Sequence, residues 1–130
     1  MAGNKFLLDS NIIIDIFHAK KEINDLLTPE NKIYIPVIVL GELLYGAENA
    51  LVPAKHFKQV EDFIKDFTIV NIDSNSAEIY SKVKYQLRKL GKPIPDNDIW
   101  IAALTMQYNA ILLTNDAHFK NIKALDFKQI

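Results

Sequence analysis

Lys5-Phe6-Leu7-Leu8-Asp9-Ser10-Asn11-Ile12-Ile13-Ile14-Asp15-Ile16 is the stretch from which the fold is read. Phe6-Leu7-Leu8 is an apolar run of the length a buried strand needs. Asp9 or Ser10 then offers a side chain to cap a helix that carries Ile12, Ile13 and Ile16 at helical spacing. A strand that passes straight into a helix is the opening unit of an alternating α/β chain.

The unit recurs along the chain. Ile33-Tyr34-Ile35 reads as a second strand, and Pro36 suits the first position of a helix on which Leu40, Leu43, Leu44 and Ala47 share a stripe. Pro53 opens a helix with Phe57, Val60, Ile64 and Phe67 on one face, leading into the β-rich run Thr68-Ile69-Val70-Asn71-Ile72. Ser74 is read as the cap of a long helix marked by Ala77, Tyr80, Val83, Leu87 and Leu90, which Gly91 ends in the left-handed conformation. Pro93 and Pro95 fall in a loop, and Asp96 or Asn97 is read as the cap of a helix bearing Ile99, Ala102, Ala103 and Met106. A strand over Ala110-Ile111-Leu112-Leu113-Thr114, a short helix around His118 and a strand over Phe127-Lys128-Gln129-Ile130 complete the chain. Such alternation implies right-handed crossovers and a mainly parallel sheet, a three-layer α/β/α sandwich. At 130 residues and 49% hydrophobic, with no repeat or linker, the chain is sized for a single domain over 1–130.

Composition narrows the chemistry. The absence of cysteine removes disulfides, zinc–thiolate sites and thiol nucleophiles, and suits a reducing cytoplasm. Met1-Ala2-Gly3-Asn4 lacks the basic and apolar regions of a secretory signal, and no apolar run has the length of a membrane span. A net charge of −1 is not that of a general nucleic-acid coat protein, so any nucleic-acid contact is local. Lys82, Lys84, Arg88, Lys89 and Lys92 form one basic group, and His18, Lys20 and Lys21 a smaller one; a solvated helix face is the plain reading of both.

Four acids stand where an α/β sheet concentrates function. Asp9 ends the first strand, Asp116 closely follows Leu112-Leu113, and Glu42 and Asp98 lie in the openings of two helices. Strand carboxyl ends and the following helix starts share one edge of a parallel sheet, so acids distant in sequence meet there. Each alone is ordinarily a helix cap. Glu42 is the exception, because it lies beyond a cap's reach and next to Leu40, Leu43 and Leu44. Acids gathered on one edge repel unless some protonate or a cation binds between them. Hard oxygen donors without thiolate point to Mg²⁺ or Mn²⁺, and such a site suits phosphodiester hydrolysis without a histidine or serine nucleophile. His18, His56 and His118 show no metal-ligand spacing and are read as surface or packing residues.

Asp9-Ser10-Asn11, the segment from Pro36 through Gly41-Glu42-Leu43 to Ala47, Asp98-Ile99-Trp100-Ile101-Ala102-Ala103, and Thr114-Asn115-Asp116-Ala117-His118-Phe119 together resemble the successive motifs of PIN-domain ribonucleases, in particular the VapC toxins. The similarity spans essentially the whole chain, and the order of four motifs is far more specific than any single acid. The resemblance implies a PIN-like fold in which Asp9, Glu42, Asp98 and Asp116 hold Mg²⁺ or Mn²⁺ and activate water. Ser10, where the family often has threonine, Asn11 and Thr114 would orient carboxylates or waters by hydrogen bonding; their plain reading is capping and turn formation. Asp96 has no fixed place in the pattern, and either extends the acid group or caps its helix. The resemblance further implies cleavage of structured RNA, often a transfer RNA, by a homodimer that a cognate antitoxin silences.

Two other readings compete. Haloacid-dehalogenase-like phosphatases also place an aspartate after the first strand, but want a second one two residues later, where Asn11 stands. A PIN fold serving as an RNA-binding or assembly module without turnover is the second, and the complete set of four acids argues against it. Phe17, Tyr45, Trp100 and Phe119 are candidates for base stacking or interfaces, with core packing as the plain reading.

Overall fold

Among the described residues, five short strands make one sheet: β1 (Lys5–Leu8), β2 (Lys32–Pro36), β3 (Thr68–Val70), β4 (Ile111–Thr114) and β5 (Phe127–Gln129). All neighbouring pairs are parallel, in the order β3-β2-β1-β4-β5. The structure is a computed structural model that describes residues 3–21 and 24–130. Met1 and Ala2, half of the stretch read for a secretory signal, lie outside the described residues.

The helices are α1 (Ser10–Phe17), α2 (Val37–Glu48), α3 (Pro53–Ile64), α4 (Ser74–Lys89) and α5 (Asp96–Gln107), with 3-10 turns at Asn24–Leu26 and Ala117–Asn121. The chain steps from β1 outward to β3 and then returns to the far side of β1 as β4. Right-handed crossovers therefore put α1, α2 and α3 on one face and α4 and α5 on the other. The main helix contacts agree, since α3 packs on α2 and α4 on α5, while α2 meets both α1 and α5. Leu7, Leu8, Leu112 and Leu113 are at most 2% exposed between these layers, so truncating any of them to alanine costs about 2–5 kcal/mol. Among the described residues, no helix is long and apolar enough to cross a membrane.

Helix ends show where local rules held and where tertiary contacts changed them. Gly91 (φ +67°) closes α4 as expected: Lys92 N–H donates to Leu87 O and Gly91 N–H to Arg88 O. The same paired bonds close α1 at Ala19 (φ +57°) and α5 at Asn109 (φ +51°). Ala110 N–H is consumed by Thr105 O in the latter cap, which is why β4 begins one residue later than the sequence implies.

Three expected helix starts are corrected. Pro36 is the last residue of β2, extended and paired with Val70, so α2 begins at Val37. Asp73, not Ser74, caps α4 by accepting from Ser76 N, while Ser76 Oγ accepts from Asp73 N. Neither Asp96 nor Asn97 caps α5, whose cap position is Pro95, because Lys84 and Tyr80 draw the Asp96 side chain toward α4.

Candidate active site

β1 is the point from which the chain departs in both directions across the sheet. The crevice outside the carboxyl ends of β1 and β4 is therefore a topological switch point, where the helices diverge and leave room for a ligand. Leu8 pairs with Leu113, and Asp9 N–H donates to Leu113 O at 3.0 Å, so Asp9 and Thr114 emerge side by side into that crevice.

Asp9 is buried, 4% exposed, and nearly saturated with donors. Its Oδ1 accepts from Ser10 N (2.8 Å), and its Oδ2 from the Thr114 hydroxyl (2.8 Å) and the Asn11 amide (3.2 Å). Thr114 Oγ1 in turn accepts from Asp116 N (3.1 Å), and Asn11 Oδ1 from Asn115 N (3.1 Å). The residues read as orienting groups, Asn11 and Thr114, thus tie the ends of β1 and β4 to one carboxylate. Burial raises the Asp9 pKa; the hydrogen bonds from Thr114 and Ser10 oppose that shift, and the charges of Asp98 and Asp116 add to it.

The other acids arrive from helices and a turn. Glu42 sits in the second turn of α2, and its Oε1 is buried without a hydrogen-bond partner among the described residues. Burial raises its pKa, the charges of Asp9 and Asp98 raise it further, and the Ser10 and Asn97 side chains only partly compensate. Asp98 lies in the first turn of α5, its pKa raised by burial against the lowering effect of His118, with the Asp116 charge pushing upward. Asp116 caps the turn Ala117–Asn121 by accepting from His118 N at 3.1 Å. The four acids read from the sequence thus come within electrostatic reach of one another at this edge of the sheet.

His118 is the residue the sequence reading missed. Read as a surface or packing residue, it also joins two of the acids: Nε2 lies 2.7 Å from Asp98 Oδ2 and Nδ1 lies 3.0 Å from Asp116 Oδ1. Its spacing from Asp98 is twenty residues, which no helical or strand periodicity brings into view. One atom each from Asp98, Asp116 and His118 lie within 4.8 Å of one another, a group able to hold a metal ion. The donor set fits a hard divalent cation: carboxylate oxygens, one of them orphaned in Glu42, in a pocket whose like charges ionise at a cost until a cation enters.

Asp96 stands apart. It is exposed, its Oδ1 3.0 Å from both Lys84 Nζ and Tyr80 OH, and these bonds hold its carboxyl below the usual range. The basic residues of α4 are likewise solvent-facing, and Lys84 is committed to Asp96. Phe119 is fully buried, Phe17 packs edge-on against Phe63, and Trp100 stacks on Tyr80; Tyr45 alone of the four aromatics remains largely exposed. A groove lined by Ile14, Phe17, Leu43, Ala47 and Val60 runs between α1, α2 and α3 to Glu42.

Three comparisons extend this geometry. The family model described as PIN domain matches residues 6–125. A protein named Ribonuclease VapC2, from Haemophilus influenzae, is 33% identical over 126 residues, covering 93% of this chain and 94% of its own. The tRNA(fMet)-specific endonuclease VapC of Shigella flexneri is 27% identical over 114 residues, 86% of each chain. Among solved structures, a chain from VapBC2 of Rickettsia felis, bound to a DNA fragment from their promoter, matches with a TM-score of 0.90 at 26% identity, over 97% of this chain and 98% of that one.

Proposed function

This chain belongs to the PIN domain family and, within it, to the VapC ribonucleases, and from that premise we propose that it is a Mg²⁺- or Mn²⁺-dependent endoribonuclease whose ion is held by Asp9, Glu42, Asp98 and Asp116. The single observation that carries this reading is the grouping of Asp98 and Asp116 ligand atoms within 4.8 Å of one another, in a crevice that also holds the buried, unpartnered Glu42 Oε1 and the buried Asp9. A divalent cation, when bound, neutralises phosphate charge and makes a water acidic.

The chain's own groups divide the remaining work. Asp9, fixed by Ser10, Asn11 and Thr114, would offer the ion a rigidly placed oxygen. Glu42 Oε1, without a partner, is the atom that accepts a proton from the attacking water, and its raised pKa brings it nearer to the range a general base needs. Asp98 and Asp116 complete the acid ring on the side open to solvent.

The enzyme acts as the toxin of a toxin–antitoxin pair on structured RNA, with a transfer RNA as the substrate class that the Shigella relative's name supports. The groove ending at Glu42, apolar along Ile14, Phe17, Leu43, Ala47 and Val60 and walled also by His18, Lys55, His56 and Gln59, fits an amphipathic helix of the antitoxin, with an arginine reaching the carboxylates. A homodimer and a cytoplasmic location complete the reading; the lack of cysteine suits that compartment.

The test is cleavage of total cellular RNA by the purified, partner-free protein with Mn²⁺ or Mg²⁺, followed by sequencing of the new ends. Discrete products that EDTA abolishes are expected. RNA bound but never cut would instead make the chain an RNA-binding or assembly module.

A further inference from the structure

His118 touches two acids of the pocket and has no part in the quartet. Its backbone is fixed on both sides: its own N–H donates to Asp116 Oδ1, and the next residue, Phe119, is wholly buried. The ring tilts against Phe119 with centroids 5.2 Å apart, and its side chain is 35% exposed toward the open side of the pocket. A neutral imidazole carries one N–H and one lone pair. With the hydrogen on Nδ1, directed at Asp116 Oδ1 3.0 Å away, the Nε2 lone pair faces Asp98 Oδ2 at 2.7 Å, two acceptors that stay this close only with a proton or a cation between them. That is the arrangement of a metal-binding histidine whose far nitrogen is oriented by a carboxylate.

The spacing supports the same use. Ligand atoms on one six-coordinate ion stand about 3 Å apart when adjacent and about 4.3 Å when opposite. The Asp98, Asp116 and His118 atoms all fall within 4.8 Å of one another. Asp9 has less to offer the ion, because Asn11 and Thr114 share its Oδ2 and Ser10 N–H takes one of the two acceptor sites of its Oδ1.

Resting on the reading of this pocket as a divalent-cation site, we propose that His118 is itself a ligand, so that the ion is held by a mixed nitrogen and oxygen set that selects first-row transition ions over Mg²⁺. Imidazole binds such ions well, whereas Mg²⁺ prefers carboxylates and water. Asp116 plays two parts in this scheme, orienting the ring through Oδ1 and leaving Oδ2 for the ion.

The experiment is pulsed EPR of Mn²⁺ added to the metal-free full chain, run with natural-abundance and ¹⁵N-histidine protein and with His118→Ala and His118→Gln. Mn²⁺ and Mg²⁺ affinities are measured in parallel by titration. Expected are a directly coordinated imidazole nitrogen that changes character on ¹⁵N labelling, and loss of that coupling in both variants. Mn²⁺ binding should weaken roughly tenfold or more in the variants, while Mg²⁺ binding changes by less than about threefold. Because His18 and His56 carry the label too, His118 is assigned by loss of the coupling in whichever of the two variants keeps the wild-type circular dichroism, and coupling retained in such a variant would overturn the proposal. Mn²⁺ bound without nitrogen coupling, and lost in Asp98→Asn, would overturn the histidine ligand yet leave the acid site standing. Tighter Mn²⁺ binding by His118→Ala would make His118 a competitor and equally overturn it. A wild-type chain that takes up no Mn²⁺ would overturn this proposal together with the cation site beneath it.

Discussion

The two halves of the pocket are built to opposite standards. On the sheet side, Asp9, Asn11 and Thr114 form a closed network in which every Asp9 oxygen has a donor. On the helix side, among the described residues, Glu42 keeps a buried oxygen with no partner, and the side-chain contact within hydrogen-bond range at Asp98 is His118. The first half behaves as a structural joint between β1 and β4. The second holds unsatisfied charge, which costs stability and is available for chemistry. A single crevice thus combines a brace with a reactive edge, and substitutions should separate the two.

The largest separation is expected in activity. Asp98→Asn removes one charge from the helix side, so RNA cleavage should fall by about 10³-fold or more, roughly 4 kcal/mol of transition-state stabilisation, while circular dichroism stays that of the wild type. Asp9→Ala acts on the joint as well. It orphans the Ser10 N–H, the Asn11 amide and the Thr114 hydroxyl and removes the α1 cap, so denaturant unfolding should show a loss of about 2–3 kcal/mol. Equal stability of these two variants would erase the contrast.

Much of this crevice was legible in the sequence, and the reasons differ by region. Apolar runs and prolines marked the strands and helices, and strand-end acids fall on one edge of any parallel sheet, so the gathering of Asp9, Glu42, Asp98 and Asp116 followed from chain order. Asp96 was ambiguous because its partner Lys84 lies on another helix, twelve residues away. His118 escaped for the same reason, since periodicity reports neighbours within an element and not across a sheet edge. The turn Asn24–Leu26 had no apolar period to announce it.

The pH dependence sharpens the comparison at intermediate size. Asp9, Glu42 and Asp98 have folded pKa values above their ordinary ones, so each binds its proton more tightly when folded. Their contribution is present in acid and is lost as pH rises through the raised values. In EDTA, Glu42→Gln should therefore melt higher than the wild type at pH 7, by roughly 2–4 °C. The gap should close toward pH 4 or on adding Mn²⁺, and a gap that is constant with pH would show that Glu42 is destabilising for another reason.

The smallest effect lies at the far end of α1, outside both halves. Ala19 adopts φ +57° to close the helix, a conformation that costs an alanine more than a glycine. Ala19→Gly should stabilise by about 0.5–1 kcal/mol in urea unfolding and leave cleavage unchanged. A change in cleavage would mean that α1 transmits strain to Asp9.

The most direct measurement pairs the two halves of the claim in one sample: Mn²⁺ uptake and RNA cleavage by the partner-free protein, for the wild type and Asp98→Asn. Uptake and cleavage that both collapse in the folded variant are the expected result. Cleavage that survives in Asp98→Asn, or in the wild type with excess EDTA, would contradict the assignment of this pocket as a metal-dependent ribonuclease centre.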